Sequence, residues 1–129
     1  MATFTSFEQL PCWQKCREVQ RWTIDIVQKL PKQEMYELVF SIRKCARSAT
    51  RNLAEGFGKF SVPDKINFCR MSKGSLYELT DDLITAVDEG YLTMVECEEG
   101  RSLISEAVQS INGYIRYLKS RKENGWDTT

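Results

Sequence analysis

The chain has 129 residues, 42% hydrophobic and 28% charged, which suits one globular domain with a modest core and leaves no room for two substantial ones. Formal charge is zero, 18 basic residues against 18 acidic, so net charge alone predicts no affinity for nucleic acid. Histidine is absent, no apolar run has membrane-spanning length, and no basic stretch leads into an apolar one at the start; these weigh against the commonest general base, a membrane helix and export.

Pro31, then Gly56, Gly58 and Pro63, then Gly90 punctuate the sequence and leave four helical segments joined by short connections. The first is expected at residues 11–30. Pro11 suits a first turn, where its missing N–H costs nothing, and Cys16, Val19, Thr23, Ile26, Val27 and Leu30 form a stripe at helical spacing. The second is expected at 33–57, with Met35, Val39, Ile42, Ala46, Ala49, Leu53 and Phe57 on one face and Gly56 or Gly58 ending it in a left-handed conformation. The third is expected at 62–89. Ser61 is its N-cap and Asp64 stands where a capping box places its acid, while Ile66, Cys69, Leu76, Leu79, Leu83 and Val87 face inward. The fourth is expected at 94–122, opened by a Thr93/Glu96 capping box and striped by Leu103, Ala107, Ile111, Tyr114 and Leu118. Residues 123–129 read as a polar, frayed tail in which Trp126 could dock. No segment alternates with a two-residue period, so the pattern predicts one all-α domain, an antiparallel up-down-up-down four-helix bundle. Gly74 and Ser75 on the third helix, with Ala46, Ser48 and Ala49 on the second, suggest that these two helices approach closely.

More apolar residues lie on these helices than a monomer needs. Trp22, Ile24, Tyr36, Phe40, Phe68, Tyr91, Ile115 and Tyr117 lie off the main stripes and favour self-association. Charge is uneven as well. Residues 32–59 carry six basic and three acidic side chains, whereas 78–106 carry nine acidic and one basic, Arg101. Cys12 and Cys16 are one helical turn apart and could touch a common ion. With no histidine and no CxxC pair, the five cysteines read instead as buried thiols in a reducing cytoplasm, with no metal and no cofactor.

Several motifs add a resemblance. Ser48-Ala-Thr-Arg-Asn-Leu-Ala-Glu-Gly-Phe-Gly-Lys59 resembles the central signature of the 23S rRNA intervening-sequence proteins. Cys12-Trp-Gln-Lys15 is similar to their opening motif, and Gly74-Ser-Leu-Tyr-Glu78 and Gly90-Tyr-Leu92 match two further motifs in order. Trp13, Asn52, Glu55, Gly56, Gly74 and Glu78 are the motif positions, and the likeness runs over roughly residues 7–119. It implies an antiparallel four-helix bundle, often assembled as a ring-shaped homopentamer. A related group, the Avd accessory proteins of diversity-generating retroelements, comprises basic barrels that bind nucleic acid and a reverse transcriptase. Here Thr50 and Arg51 precede Asn52 where the family commonly has proline, which adds a positive charge and leans toward the retroelement branch. Fold follows from such a likeness more closely than function does.

No nucleophile elbow, Walker loop or dinucleotide fingerprint is present, so no enzyme is expected. Glu55 and Glu78 could approach one another, but the Glu-x-x-His pairs of dimetal bundles are missing; with Asn52 they read as groups that cap or bridge helices or hydrogen-bond across a subunit interface. Arg43, Arg47 and Arg51 follow one another at i, i+4 and i+8, with Lys44 beside them, opposite the apolar face. Such a row can engage successive phosphates through bidentate hydrogen bonds, and a ring would repeat it. Arg116 and Lys119, followed by Arg121 and Lys122, form a second basic cluster. Two other readings stay open: the row pairs with acids of the same or a neighbouring subunit, or the molecule is a scaffold whose acidic stretch meets a basic protein such as a polymerase. The expected function is therefore a cytoplasmic, non-enzymatic homo-oligomer that binds the backbone of RNA or DNA, in its most specific form an Avd-type partner of a reverse transcriptase.

Overall fold

The structure is a computed structural model that describes residues 3–123, with side chains from 3 to 121. Residues 124–129, Trp126 among them, and the Lys122 side chain therefore lie outside the described residues, while the backbone of residue 123, expected in the tail, closes the last helix. Those described contain no strand. They form four helices, α1 (Pro11–Ile26), α2 (Leu38–Phe57), α3 (Val62–Asp88) and α4 (Met94–Glu123), with 3-10 turns at Phe7–Gln9, Val27–Lys29 and Lys32–Glu34. α1 packs on α2 and α4, and α3 packs on the same two, so each helix has two main neighbours around a shared core.

The core consists of the expected stripes with small changes of phase. Cys16, Val19, Ile42, Ala49, Leu53, Leu76, Leu79, Leu83, Ala107 and Ile111 are fully or almost fully shielded from solvent. Thr23 is buried among them because its hydroxyl donates to the Gln20 carbonyl at 2.7 Å, leaving no unpaired polar group. Ile115, read from sequence as surplus, is a core residue, and Ala86 is buried where Val87 is only half-buried.

Two boundaries differ from expectation for identifiable reasons. α1 tightens into a 3-10 turn after Ile26, and Leu30 is extended (φ −84°, ψ 147°) because the ring of Pro31 disfavours a helical residue before it. α2 begins at Leu38 rather than near residue 33. The Glu34 carboxylate accepts the Leu38 N–H at 3.3 Å and the Tyr91 hydroxyl at 2.8 Å, which anchors the chain one turn later. Met35, expected on the inward stripe, thus falls outside the helix and is 51% exposed.

The helix ends follow the same logic. Ser61 Oγ accepts the Asp64 N–H at 3.2 Å, and Thr93 and Glu96 exchange hydrogen bonds at 2.9 and 3.1 Å in a complete capping box. Neither Gly56 nor Gly58 is left-handed; Gly58 has φ −78°. Left-handed termination occurs at Gly90, φ +80°, where the Tyr91 N–H reaches the Ala86 carbonyl and the Gly90 N–H the Val87 carbonyl in a Schellman motif.

α2 and α3 share the most extensive contact of any helix pair. Ser72 donates to the Ala49 carbonyl at 2.7 Å and Ser75 to Ser48 Oγ at 2.8 Å, contacts that only small side chains permit. A Cβ on Gly56 would lie 2.7 Å from the Phe68 Cβ. Gly74 has no part in this approach: it is exposed, and a Cβ there meets nothing. Between α1 and α4 the corresponding residue is Gly100, where a Cβ would come within 2.7 Å of the Trp22 ring.

Candidate nucleic-acid interface

The buried face of α2 carries Ile42, Cys45, Ala46, Ala49 and Leu53, which leaves Arg43, Lys44, Arg47 and Arg51 exposed on the other side. No carboxylate pairs with any of the four among the described residues; the ion pairs there are Lys15 with Glu18 and Glu106, and Lys29 with Glu96. The row is flanked by two grooves. One, of about 380 Å³, is lined by Met35, Tyr36 and Phe40 together with Arg43, Lys44, Arg47 and Arg51. The other, of about 310 Å³, lies toward α1, where Gln20, Thr23, Ile24, Val27 and Gln28 face Arg43 and Arg47. Thr50 ties the helices here by donating to the Gln20 side-chain oxygen at 3.2 Å.

Arg116 and Lys119 are exposed on α4 and line neither groove. Near them the Arg121 guanidinium lies 5.6 Å over the Tyr117 ring. The structure thus separates the two basic clusters, because α4 packs chiefly on α1 and α3.

The motif residues serve packing in different degrees. Trp13 is half-buried, edge-on to Phe7 at 5.3 Å and under the Arg17 guanidinium at 5.6 Å. Asn52 donates to the Ser48 carbonyl and hydroxyl at 2.9 and 3.0 Å; since Ser48 also accepts from Ser75, the amide joins a bridge between α2 and α3. Glu55 and Glu78 are exposed and their carboxylates make no hydrogen bond or ion pair among the described residues; of the three, only Asn52 joins a bridge between helices, and none caps one.

A half-buried acid near this region is one that the sequence did not single out. Asp82 accepts from Ser41 at 2.6 Å and from the Cys45 thiol at 3.8 Å. Burial raises its pKa, opposed by the Ser41 hydrogen bond and reinforced by the charges of Asp81 and Glu78. Burial likewise pushes Cys16 up to about 12 and Cys69 and Cys45 up to about 11, and raises Cys12 further, so the thiols are protonated at neutral pH. Among the described residues no group of three His, Cys, Asp or Glu side chains is placed to hold a metal ion, and no helix is long and apolar enough to cross a membrane.

Sequence reading also missed the company the arginines keep. Tyr36 and Phe40, which lie off the apolar stripes, open onto the same groove. Their four-residue steps toward Lys44 were the available signal. A second apolar depression, about 680 Å³, joins Trp22, Met94, Val95 and Leu103 to Ser102 and the acids Glu98 and Glu99.

Four helices around a shared core define an all-helical protein whose α2 carries a cationic row with no acidic partner among the described residues. Residues 8–113 match the sequence profile of the 23S rRNA-intervening sequence protein family, and the chain belongs to that family. No curated protein sequence matches it.

Proposed function

We propose that this protein is a non-catalytic, homo-oligomeric accessory factor that binds the backbone of RNA or DNA through Arg43, Lys44, Arg47 and Arg51. The observation that carries this reading is the exposed row of four cations on α2 with no acidic partner among the described residues. A guanidinium that pays no intramolecular pairing is available to phosphate, and bidentate geometry makes arginine the better group for it. In this proposal short connections fold successive helices antiparallel, and identical bundles close into a ring, with five copies as the family likeness suggests. The ring multiplies the row, so a chain of zero net charge presents a concentrated positive field. Arg116 and Lys119 supply a second, separate contact. The contacts are to backbone and shape, without base-edge readout. The setting is the cytoplasm, and the most specific role is that of an Avd-type partner of a retroelement reverse transcriptase.

The acidic-apolar depression around Met94, Val95, Glu98 and Glu99 favours a scaffold role beside the first, since its chemistry suits a basic, amphipathic segment of a partner such as a polymerase.

Binding of RNA and DNA across a salt series, with oligomeric mass followed by light scattering, tests the proposal. Wild type is expected to bind with a steep slope of log K against log salt. An Arg43→Glu, Arg47→Glu, Arg51→Glu variant of unchanged mass should lose binding, because each lost phosphate contact removes roughly 0.7 to 0.9 from that slope. Failure of the wild type to bind at low salt would sink the reading and leave the row as a protein contact.

A further inference from the structure

The arginine row has aromatic company. Phe40 and Tyr36 step back from it toward the start of α2 and are 58% and 86% exposed. Both open onto the groove of about 380 Å³ that Arg43, Arg47 and Arg51 also line. Neither ring stacks on another aromatic side chain or lies under a cation among the described residues, unlike Trp13, Phe57, Phe68 and Tyr117, each of which has a cation over its ring. Bare aromatic faces and bare guanidinium groups therefore share one surface.

That combination discriminates between forms of nucleic acid. Successive arginines rise about 6 Å along the helix axis, so each can meet a different phosphate of one strand. A duplex keeps its base faces inside its own stack; it would satisfy the arginines and leave the rings uncovered. A single strand offers phosphates and unstacked base faces together. We propose that this face binds single-stranded nucleic acid, with an unpaired base stacked on Phe40 or Tyr36 while successive phosphates lie on Arg43, Arg47 and Arg51. The inference rests on the reading that the arginine row meets phosphate. It adds the strandedness of the ligand and two residues that touch its bases. Because every base has a π-face, the preference is for strandedness and not for sequence.

The test compares one oligonucleotide sequence as a single strand and as a duplex, titrated into the full chain at fixed low salt. The proteins are wild type, a Tyr36→Ala, Phe40→Ala double variant, and the triple arginine variant. Both rings are exposed, so the double variant should keep its fold by circular dichroism. Wild type is expected to prefer the single strand. The double variant should lose roughly tenfold or more in single-strand affinity, the effect of a lost stacked base, with duplex affinity unchanged. A strand carrying abasic sites should bind wild type as weakly as the intact strand binds the double variant. Equal wild-type affinity for both forms, or a double variant that retains single-strand affinity, overturns the inference; if the arginine variant still loses binding, the phosphate reading survives alone. If wild type binds neither form, both fall. A double variant of altered oligomeric mass and unaltered affinity overturns it too, and makes the rings a contact between copies.

Discussion

Two glycines in the α2–α3 pair have opposite meanings. A methyl group on Gly56 would sit 2.7 Å from the Phe68 Cβ, an atom held by the helix backbone and unable to swing away. Gly56→Ala must therefore spread the helices and should cost about 1–3 kcal/mol, the range for overpacking a filled core. A methyl on Gly74 meets nothing, and glycine inside a helix is about 1 kcal/mol worse than alanine, so Gly74→Ala should stabilise the chain by about that amount. Urea denaturation of the two variants checks both signs; a shift of both in the same direction would show that the α2–α3 approach is misassigned. At this scale the sequence was half legible. That small residues bring α2 and α3 together could be read from Ala46, Ser48, Ala49 and Ser75. That Ser72 belongs with them and Gly74 does not depends on helical phase, and two residues of phase separate the interior from solvent.

The elements were the most legible level, because each is set by local chemistry. Ser61 and the Thr93/Glu96 pair mark helix starts wherever they occur, and the apolar stripes fix the inward faces. The start of α2 was misread because its anchor is remote: Glu34 is held by Tyr91, more than fifty residues away. The tie between Ser41 on α2 and Asp82 on α3 was invisible for the same reason. Its pH behaviour follows from the raised pKa of Asp82, caused first by burial. An acid whose folded pKa lies above its unfolded value binds its proton more tightly when folded. Ionisation at Asp82 thus opposes folding above that pKa, and the penalty is relieved as pH falls through the folded value toward the unfolded one. Asp82→Asn removes the charge and keeps an oxygen for the Ser41 hydroxyl. It should be at least as stable as wild type at pH 7, with the difference narrowing toward pH 4. Thermal melts at the two pH values check this, and a variant clearly weaker at pH 7 would mean that the charged hydrogen bond outweighs burial.

At the scale of the whole molecule, the five cysteines report on cooperativity. All are free and buried, distributed over all four helices, and burial raises the pKa of every one. Alkylation requires a thiolate and access, so none should react at pH 8 while the fold is intact, and all five should be labelled together as denaturant unfolds the chain. Mass spectrometry of pulse-labelled samples checks this; early labelling of one site would reveal a region that opens alone. The helical class and the arginine row were legible in the sequence, because periodicity and charge spacing are local properties. The groove toward α1 was not, since it needs the register of α1 against α2, whereas the groove with Tyr36 and Phe40 is lined by α2 and the turn before it alone. Charge arrangement has one more consequence. Acids dominate the exposed parts of α3 and the start of α4, while the outer side of α2 is cationic, yet the formal charges sum to zero. Such a body has an electric dipole without a monopole. On the nucleic-acid reading proposed above, such a body would feel little pull but a real torque in the field of a distant polyanion, and dissolved salt would act first on the fraction of encounters that arrive correctly oriented.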